Sequence, residues 1–484
     1  MSVAIVWFRR DLRLADNPAL CAAAASSDQV LALYIHAPGE ETPWQPGAAT
    51  RWWLHHALAA LDASLRARGG ALLIKRGDSS ECLREALAES GATSLHWNRR
   101  YEPAVIARDQ RIKETMRERG VDAHSHNALL LVEPWTVATQ QDAPYRVFTP
   151  FWRNAAQRAH QHLPSAVPQS LRLLAAPSMP GRHTCTLDQL GLLPSIAWDA
   201  AFPTLWQPGE AGAQARLADF LDDSVDGYAA ARDQPDHAGT SRLSPYLATG
   251  ELSPRQILAA IHDRDAEGPG FSARAQAYVR QLGWREFCYH LLFHFPQTTV
   301  QNLNRRFDSF PWADPDATLL RAWQQGRTGI PLVDAGMREL WHTGWMHNRV
   351  RMVVGSLLTK NLRYHWQHGA RWFWDTLLDA DLANNTQGWQ WIAGTGADAA
   401  PYFRVFNPVL QGERFDPSGH YVRRHVPELA RVPDRYIHQP WSMSPIEQAE
   451  CGIAGTPYAR PLIDLAASRD AALLAYQSIR QLPD

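Results

Sequence analysis

The sequence predicts two unlike halves: a Rossmann-like α/β half built on a doubly wound parallel sheet, then an all-α half. Three observations predict this. Apolar runs of strand length alternate with helical periodicity over the first 130 residues. Ten prolines crowd residues 131–208, where periodicity lapses. From Gly209 to about residue 478 the pattern is helical and stays so. Strands separated by helices need crossover connections, which make neighbouring strands parallel. The chain therefore divides into 1–130, an interdomain connector over 131–208, and a helical domain over 209–478.

Each element follows from local chemistry. Ala4–Phe8 is apolar and followed at once by charges, so the amino terminus reads as a strand, not a signal peptide. Asn17 caps a helix that starts on Pro18, where a missing N–H does no harm. Val30–Ile35 is a second strand. Residues 49–67 place Trp52, Trp53, His56, Leu58, Leu61 and Leu65 near one helical face. Ala71–Ile74 is a strand, Gly77-Asp78-Ser79 opens a helix, Ser94–Trp97 is a strand, and Ala104–Arg119 is a charged helix. No GxGxxG fingerprint is present, so the sheet licenses no nicotinamide cofactor. Pro164, Pro168, Pro177, Pro180 and Pro194 argue against long helices and central strands in the connector.

Composition narrows the function classes. With 484 residues, 45% of them hydrophobic, each half can bury a core. A net charge of −1 leaves any nucleic-acid surface to a local patch. The five cysteines include no CxxC pair, which argues against structural zinc and a disulfide scaffold; a reducing cytoplasm is the expected home. No run approaches 18 apolar residues, so no membrane span is expected.

Two stretches concentrate chemistry. Arg338–Arg371 holds six Lys or Arg residues against one acid, Glu339, with four histidines and Trp341, Trp345 and Trp366. Cations for phosphates and flat rings for bases suit a nucleic-acid surface, though a solvated basic helix face is the commoner origin of such a run. Residues 379–408 read DADLANNTQGWQWIAGTGADAAPYFRVFNP. Asp379 and Asp381 lack an obvious third ligand, so no metal is expected. His290 and His294 stand four apart without the glutamate of HExxH and read as packing residues.

Taken together, the tract is similar, nearly letter for letter, to the flavin-binding signature of the DNA photolyase/cryptochrome family. Four more segments resemble the family's motifs in its order: Trp7–Arg13, Thr240–Leu247, Trp284–Phe287 and Gly344–Arg349. The resemblance lies closest to bacterial class I cyclobutane pyrimidine dimer photolyases. It implies FAD folded within the helical domain, active in its reduced form, and an electron passed under blue light to a pyrimidine dimer in UV-damaged DNA. By resemblance, Tyr228, Thr240, Ser241, Arg242, Leu243 and Ser244 serve the FAD phosphates, and Asn348, Arg351, Asp379 and Asp381 the ring and ribose. Asn385 matches the residue facing flavin N5, where an amide oxygen accepts a hydrogen bond without adding charge. Trp389, Trp366 and Trp312 match the electron-carrying tryptophans. Trp284, Trp391, Met352 and Gln281 match the substrate pocket, and Arg232, Arg349 and Arg404 the grip on the DNA backbone.

The sequence departs from the pattern at two places. Gln281 stands where many cyclobutane-dimer enzymes carry Glu. Enzymes acting on (6-4) photoproducts often carry Gln there, but pair it with two histidines; here His347 is present and Met352 replaces the second. The cyclobutane dimer is therefore the expected substrate. After Tyr101-Glu102 the helix start reads Pro103-Ala104-Val105-Ile106, without the carboxylate of folate-binding relatives, so a second, antenna chromophore could be a folate, a deazaflavin, another flavin or none. A cryptochrome-type photoreceptor is the alternative; the end at Asp484, without a long extension, favours repair. A monomer is expected.

Overall fold

The computed structural model describes residues 1–159, 163–175, 181–268, 270–399, 401–402 and 404–480. Five strands, β1 (Val3–Phe8), β2 (Gln29–His36), β3 (Leu72–Arg76), β4 (Ser94–Asn98) and β5 (Asp122–His126), form one parallel sheet ordered β3-β2-β1-β4-β5. The helices α1 (Pro18–Ser26), α2 (Ala48–Arg66), α3 (Ser79–Ser90) and α4 (Pro103–Glu118) connect them. β1 lies in the middle and is buried throughout, as its unbroken apolar run requires. Asn17 accepts from the Leu20 N–H and Pro18 opens α1, the expected cap.

Two elements differ from the sequence reading. The fifth strand, Asp-Ala-His-Ser-His, was not expected. It is an edge strand pairing only with β4, so polar residues suffice and no apolar run marks it. Within the proline-dense stretch, α5 (Phe148–Ala159) runs twelve residues. Its proline, Pro150, lies in the first turn, where no helical hydrogen bond is lost. The prolines Pro177 and Pro180 lie outside the described residues.

Beyond Glu210 every element is helical, and no helix among the described residues is long and apolar enough to cross a membrane. The longest helix, Phe271–His294, packs against α5 and against Leu382–Ala393. Helix Asn348–Ser356 passes directly into a π-helical turn, Leu357–Asn361. The Trp7–Arg13 motif is a junction between the halves. Arg13, 1% exposed, donates to the carbonyls of Ala128 (2.9 Å) and Gly250 (2.7 Å). Gly250 needs its glycine, since a Cβ there would meet the Arg10 carbonyl oxygen at 2.1 Å and its φ is +74°.

Candidate active site

Asp379 and Asp381 point to different partners. Asp381 caps helix Leu382–Ala393: one oxygen accepts from the Asn384 backbone N–H (2.8 Å) and side-chain amide (2.6 Å), the other from the Tyr289 hydroxyl. Asp379 faces Arg351 instead, accepting from its two terminal nitrogens at 3.2 and 2.8 Å and from the Ser244 hydroxyl at 2.6 Å. Arg351 Nε also donates to the Met346 carbonyl (2.7 Å), so the guanidinium is held along two edges. The Trp345 indole N–H reaches Ser244 Oγ at 3.4 Å. Three distant segments thus meet at one ion pair.

Ser244 belongs to a turn with unusual backbone. Arg242 has φ +51°, a left-handed conformation rare outside glycine, and Leu243 returns to the right-handed region. Successive N–H groups in such a turn converge into an anion seat, and strained backbone of this kind concentrates at functional sites. Ser241 Oγ accepts from the Leu243 N–H (3.3 Å), and the Arg242 guanidinium covers the Trp345 ring at 4.9 Å. Thr240 is half-buried beside them. Tyr228 is buried against Phe220 and Tyr278, with Arg232 over its ring.

His347 caps helix Asn348–Ser356 by accepting the Arg349 N–H on Nδ1 (3.2 Å). That acceptor role leaves the proton on Nε2, and burial pushes the imidazole down to about 4, so the ring is neutral. His347 Nε2 is buried with no partner among the described residues. Asn348, Arg351 and Met352 follow at i, i+3 and i+4 and share one helix face. Asn385 donates from its amide nitrogen to the Ala370 carbonyl (2.9 Å), which leaves its oxygen to accept. A buried donor at His347, an available amide oxygen at Asn385 and the Arg242 turn fit a large group with both N–H and phosphate functions, as FAD is.

Each of the three tryptophans expected to carry electrons has aromatic neighbours. Trp389 is 4% exposed, and its ring neighbours are Phe373 (4.9 Å) and Trp323 (6.3 Å). Trp366 stands beside His365 (5.4 Å), whose other side meets Trp312 (5.1 Å). The Trp366 N–H donates to Asn302 Oδ1 (2.8 Å) and that of Trp312 to the Phe307 carbonyl (3.1 Å). Trp323 meets Trp389 and His365 meets Trp312 from distant positions, contacts that no local pattern encodes.

Of the residues expected to face DNA, Arg232, Gln281, Arg349 and Arg404 come together around Asp233. Arg232 approaches Gln281 Oε1 at 3.5 Å, and Gln281 donates to the Ala277 carbonyl (3.1 Å). Arg349 pairs with Asp233 (2.9 Å) and lies 4.4 Å over Phe415. Arg349, Arg404 and Arg414 line one cleft with Asp233, Gln411 and Phe406. Trp284 stacks flat on Phe148, centroids 3.8 Å apart and planes within 8°, so one indole face is backed. Met352 and Trp391 are half-buried at the margin of the helical core.

A further pocket opens at the carboxyl ends of β1 and β2 and the loop after β4, lined by Trp7, Arg9, Arg10, His36, Arg100 and Arg108 among others. Strand order reverses there, the usual ligand crevice of an open α/β sheet. Trp7 has guanidinium groups over it at 4.8 Å (Arg9) and 5.0 Å (Arg108). Trp7 Nε1, Arg9 Nε and Arg10 Nη2 are buried without partners among the described residues.

Comparison with known proteins gives the family. Residues 4–169 match the family model described as DNA photolyase, and residues 278–478 the one described as FAD binding domain of DNA photolyase. The chain is 44% identical over 479 residues to a deoxyribodipyrimidine photo-lyase of Agrobacterium fabrum, covering 99% of this chain and 98% of that protein. It is 39% identical to cryptochrome-2 of Arabidopsis thaliana, covering 99% of this chain and 79% of that one. A crystal structure described as a bacterial class III photolyase from Agrobacterium tumefaciens superposes with a TM-score of 0.93 at 44% identity, covering 99% and 98% of the two chains. Its backbone, its motifs and its whole-length relatives agree: the chain belongs to the DNA photolyase/cryptochrome family.

Proposed function

We propose that this protein repairs cyclobutane pyrimidine dimers in DNA by light-driven electron transfer, as a deoxyribodipyrimidine photolyase. One observation carries the reading: helix Asn348–Ser356 bears both Arg351, paired with Asp379 at the flavin site, and Arg349 of the arginine-lined cleft, so cofactor and DNA meet on one element. When bound, reduced FAD supplies the photoexcited electron that opens the cyclobutane ring and takes it back afterwards.

The chain's own residues bind, orient and conduct. The Thr240–Ser244 turn, with Tyr228 behind it, seats the phosphates through converging N–H groups. Arg351, fixed by Asp379, and Asn348 hold the ring and ribose, while Asp381 positions the helix that carries Asn385. Asn385 offers its amide oxygen to a flavin N–H. Trp389, Trp366 and Trp312 bring electrons inward, oxidisable rings leading from half-buried Trp312 to buried Trp366 and Trp389. Trp284, backed by Phe148, and Trp391 clamp the extruded dimer, with Met352 and Gln281 completing its pocket. Arg232, Arg349 and Arg404 hold the strand by its phosphates. The crevice at Trp7, with its unpartnered N–H groups, takes a second chromophore of planar, anionic character. The division at residues 130 and 208, a monomeric state and a cytoplasmic location belong to the same reading.

The test is direct. Purified, fully reduced protein is expected to clear cyclobutane dimers from DNA under blue light and to leave them in the dark. Dimers surviving illumination would sink the repair reading in favour of a photoreceptor.

A further inference from the structure

The cleft that holds Arg349, Arg404 and Arg414 is lined by one carboxylate among the described residues, that of Asp233. It approaches Arg349 at 2.9 Å and Arg232 at 4.0 Å. Arg349 is held on both sides: Asp233 meets its Nη2, and the Phe415 ring lies under its plane at 4.4 Å. Its Nε is buried without a partner among the described residues, so the Nη2 that meets Asp233 is where an entering phosphate would compete. A carboxylate and a phosphate diester compete for the same guanidinium fork. In the free protein Asp233 occupies the position on Arg349 that a DNA phosphate needs.

Resting on the arginine grip proposed above, we infer that Asp233 is a positioning residue that sets the discrimination between damaged and undamaged DNA. Undamaged DNA is drawn to such a cleft by its phosphates alone. Every such approach meets the Asp233 charge, which weakens it. A strand carrying an extruded dimer gains contacts beyond the phosphates, and those require Arg349 in its fixed place. Asp233 therefore taxes unspecific binding and pre-orders the specific one.

The test uses full-length, flavin-loaded protein in the dark, with fluorescence anisotropy on short duplexes with and without a single cyclobutane dimer, across a salt series. Asp233→Asn is expected to tighten binding of undamaged duplex by about fivefold, a like-charge contact being removed. The slope of log affinity against log salt is expected to steepen by about 0.9, one charge. Binding of the dimer duplex should change by less than about twofold, released repulsion and lost pre-ordering offsetting one another. Selectivity falls accordingly. Asp233→Glu keeps the charge and should restore weak binding of undamaged DNA. Equal tightening on both duplexes would reduce Asp233 to a general charge and overturn the inference, as would no change on either. Arg349→Gln separates the two layers. If it leaves both affinities unaltered, the grip itself fails and the role of Asp233 fails with it; if it weakens binding while Asp233→Asn tightens both duplexes equally, the role of Asp233 alone fails.

Discussion

Lys360 is fully buried in the π-helical turn Leu357–Asn361, and no carboxylate pairs with it among the described residues. Its ammonium donates to the Arg404 carbonyl (2.7 Å) and faces the Tyr402 ring at 5.4 Å. Burial, with repulsion from Arg404, pushes it down from 10.5 to about 7. The unfolded chain therefore binds the extra proton between about pH 7 and 10.5, and Lys360 makes stability rise with pH across that window. Lys360→Met removes the uncompensated charge and gives up one hydrogen bond, about 1 kcal/mol. We expect its urea midpoint at pH 7 to exceed that of the parent chain and its rise between pH 7 and 10 to be flatter. Identical pH profiles for the two proteins would show that Lys360 does not titrate there. Because Lys360 holds the Arg404 backbone, the variant should also bind DNA less tightly.

At the scale of elements, helices Trp366–Thr376 and Leu382–Ala393 approach closely because Gly369 has no side chain. A Cβ there would meet Trp389 Cη2 at 2.0 Å and Cζ3 at 2.4 Å. Gly369→Ala forces the two helices apart or turns the Trp389 indole, an overpacking cost of about 1–3 kcal/mol. The expected result is a lowered melting temperature together with slower light-driven reduction of the bound flavin. Unchanged photoreduction in a destabilised variant would take Trp389 off the electron path. Such contacts also mark where sequence reading runs out. β1, β2 and β4 were legible because strands inside a parallel sheet are buried on both faces, and β3, although it lies at an edge, is buried over its first four residues and keeps the apolar run Leu72–Ile74. β5 and α5 were not, since an edge strand tolerates histidines and a first-turn proline resembles a break. The site letters were legible as motifs, whereas the stacking of Phe148 on Trp284 and the pairing of Asp233 with Arg349 join residues 136 and 116 positions apart, which no local pattern encodes.

The whole molecule is locked across its two halves by buried polar contacts rather than by apolar packing alone. Asp16 takes Arg255 (3.0 Å) and Ser253 (2.5 Å) from the helical half, Glu210 accepts from the Leu14 and Ala15 N–H groups, and Glu286 accepts from those of Leu131 and Val132. Parting the halves gives up all of these bonds together with the apolar cluster that spans both, so they should unfold together. Acid is the condition that tests this. Burial lowers eleven histidines below their ordinary 6.5, among them His96, His126, His290, His347, His365 and His425 at about 4. The unfolded chain protonates these first, so each withdraws stability as pH falls from 6.5 toward 4. Five buried carboxylates act the other way: Glu251 and Glu286 are pushed up to about 7, Asp334 to about 6, and Glu339 and Asp416 upward too. These hold protons in the fold and oppose the loss until pH drops below the ordinary carboxylate range. The six histidines at about 4 outweigh the three carboxylates raised to about 6 or 7, which decides the sign. The urea midpoint is expected to fall steadily from pH 7 to pH 4.5, in one transition seen alike by sheet-sensitive and helix-sensitive probes. His290→Gln should flatten the fall, because His290 is 1% exposed and accepts the Tyr145 N–H, a role the amide oxygen can keep without taking a proton. A flat midpoint over that range, or two separate transitions, would contradict the cooperative, histidine-weighted acid response derived from this burial pattern.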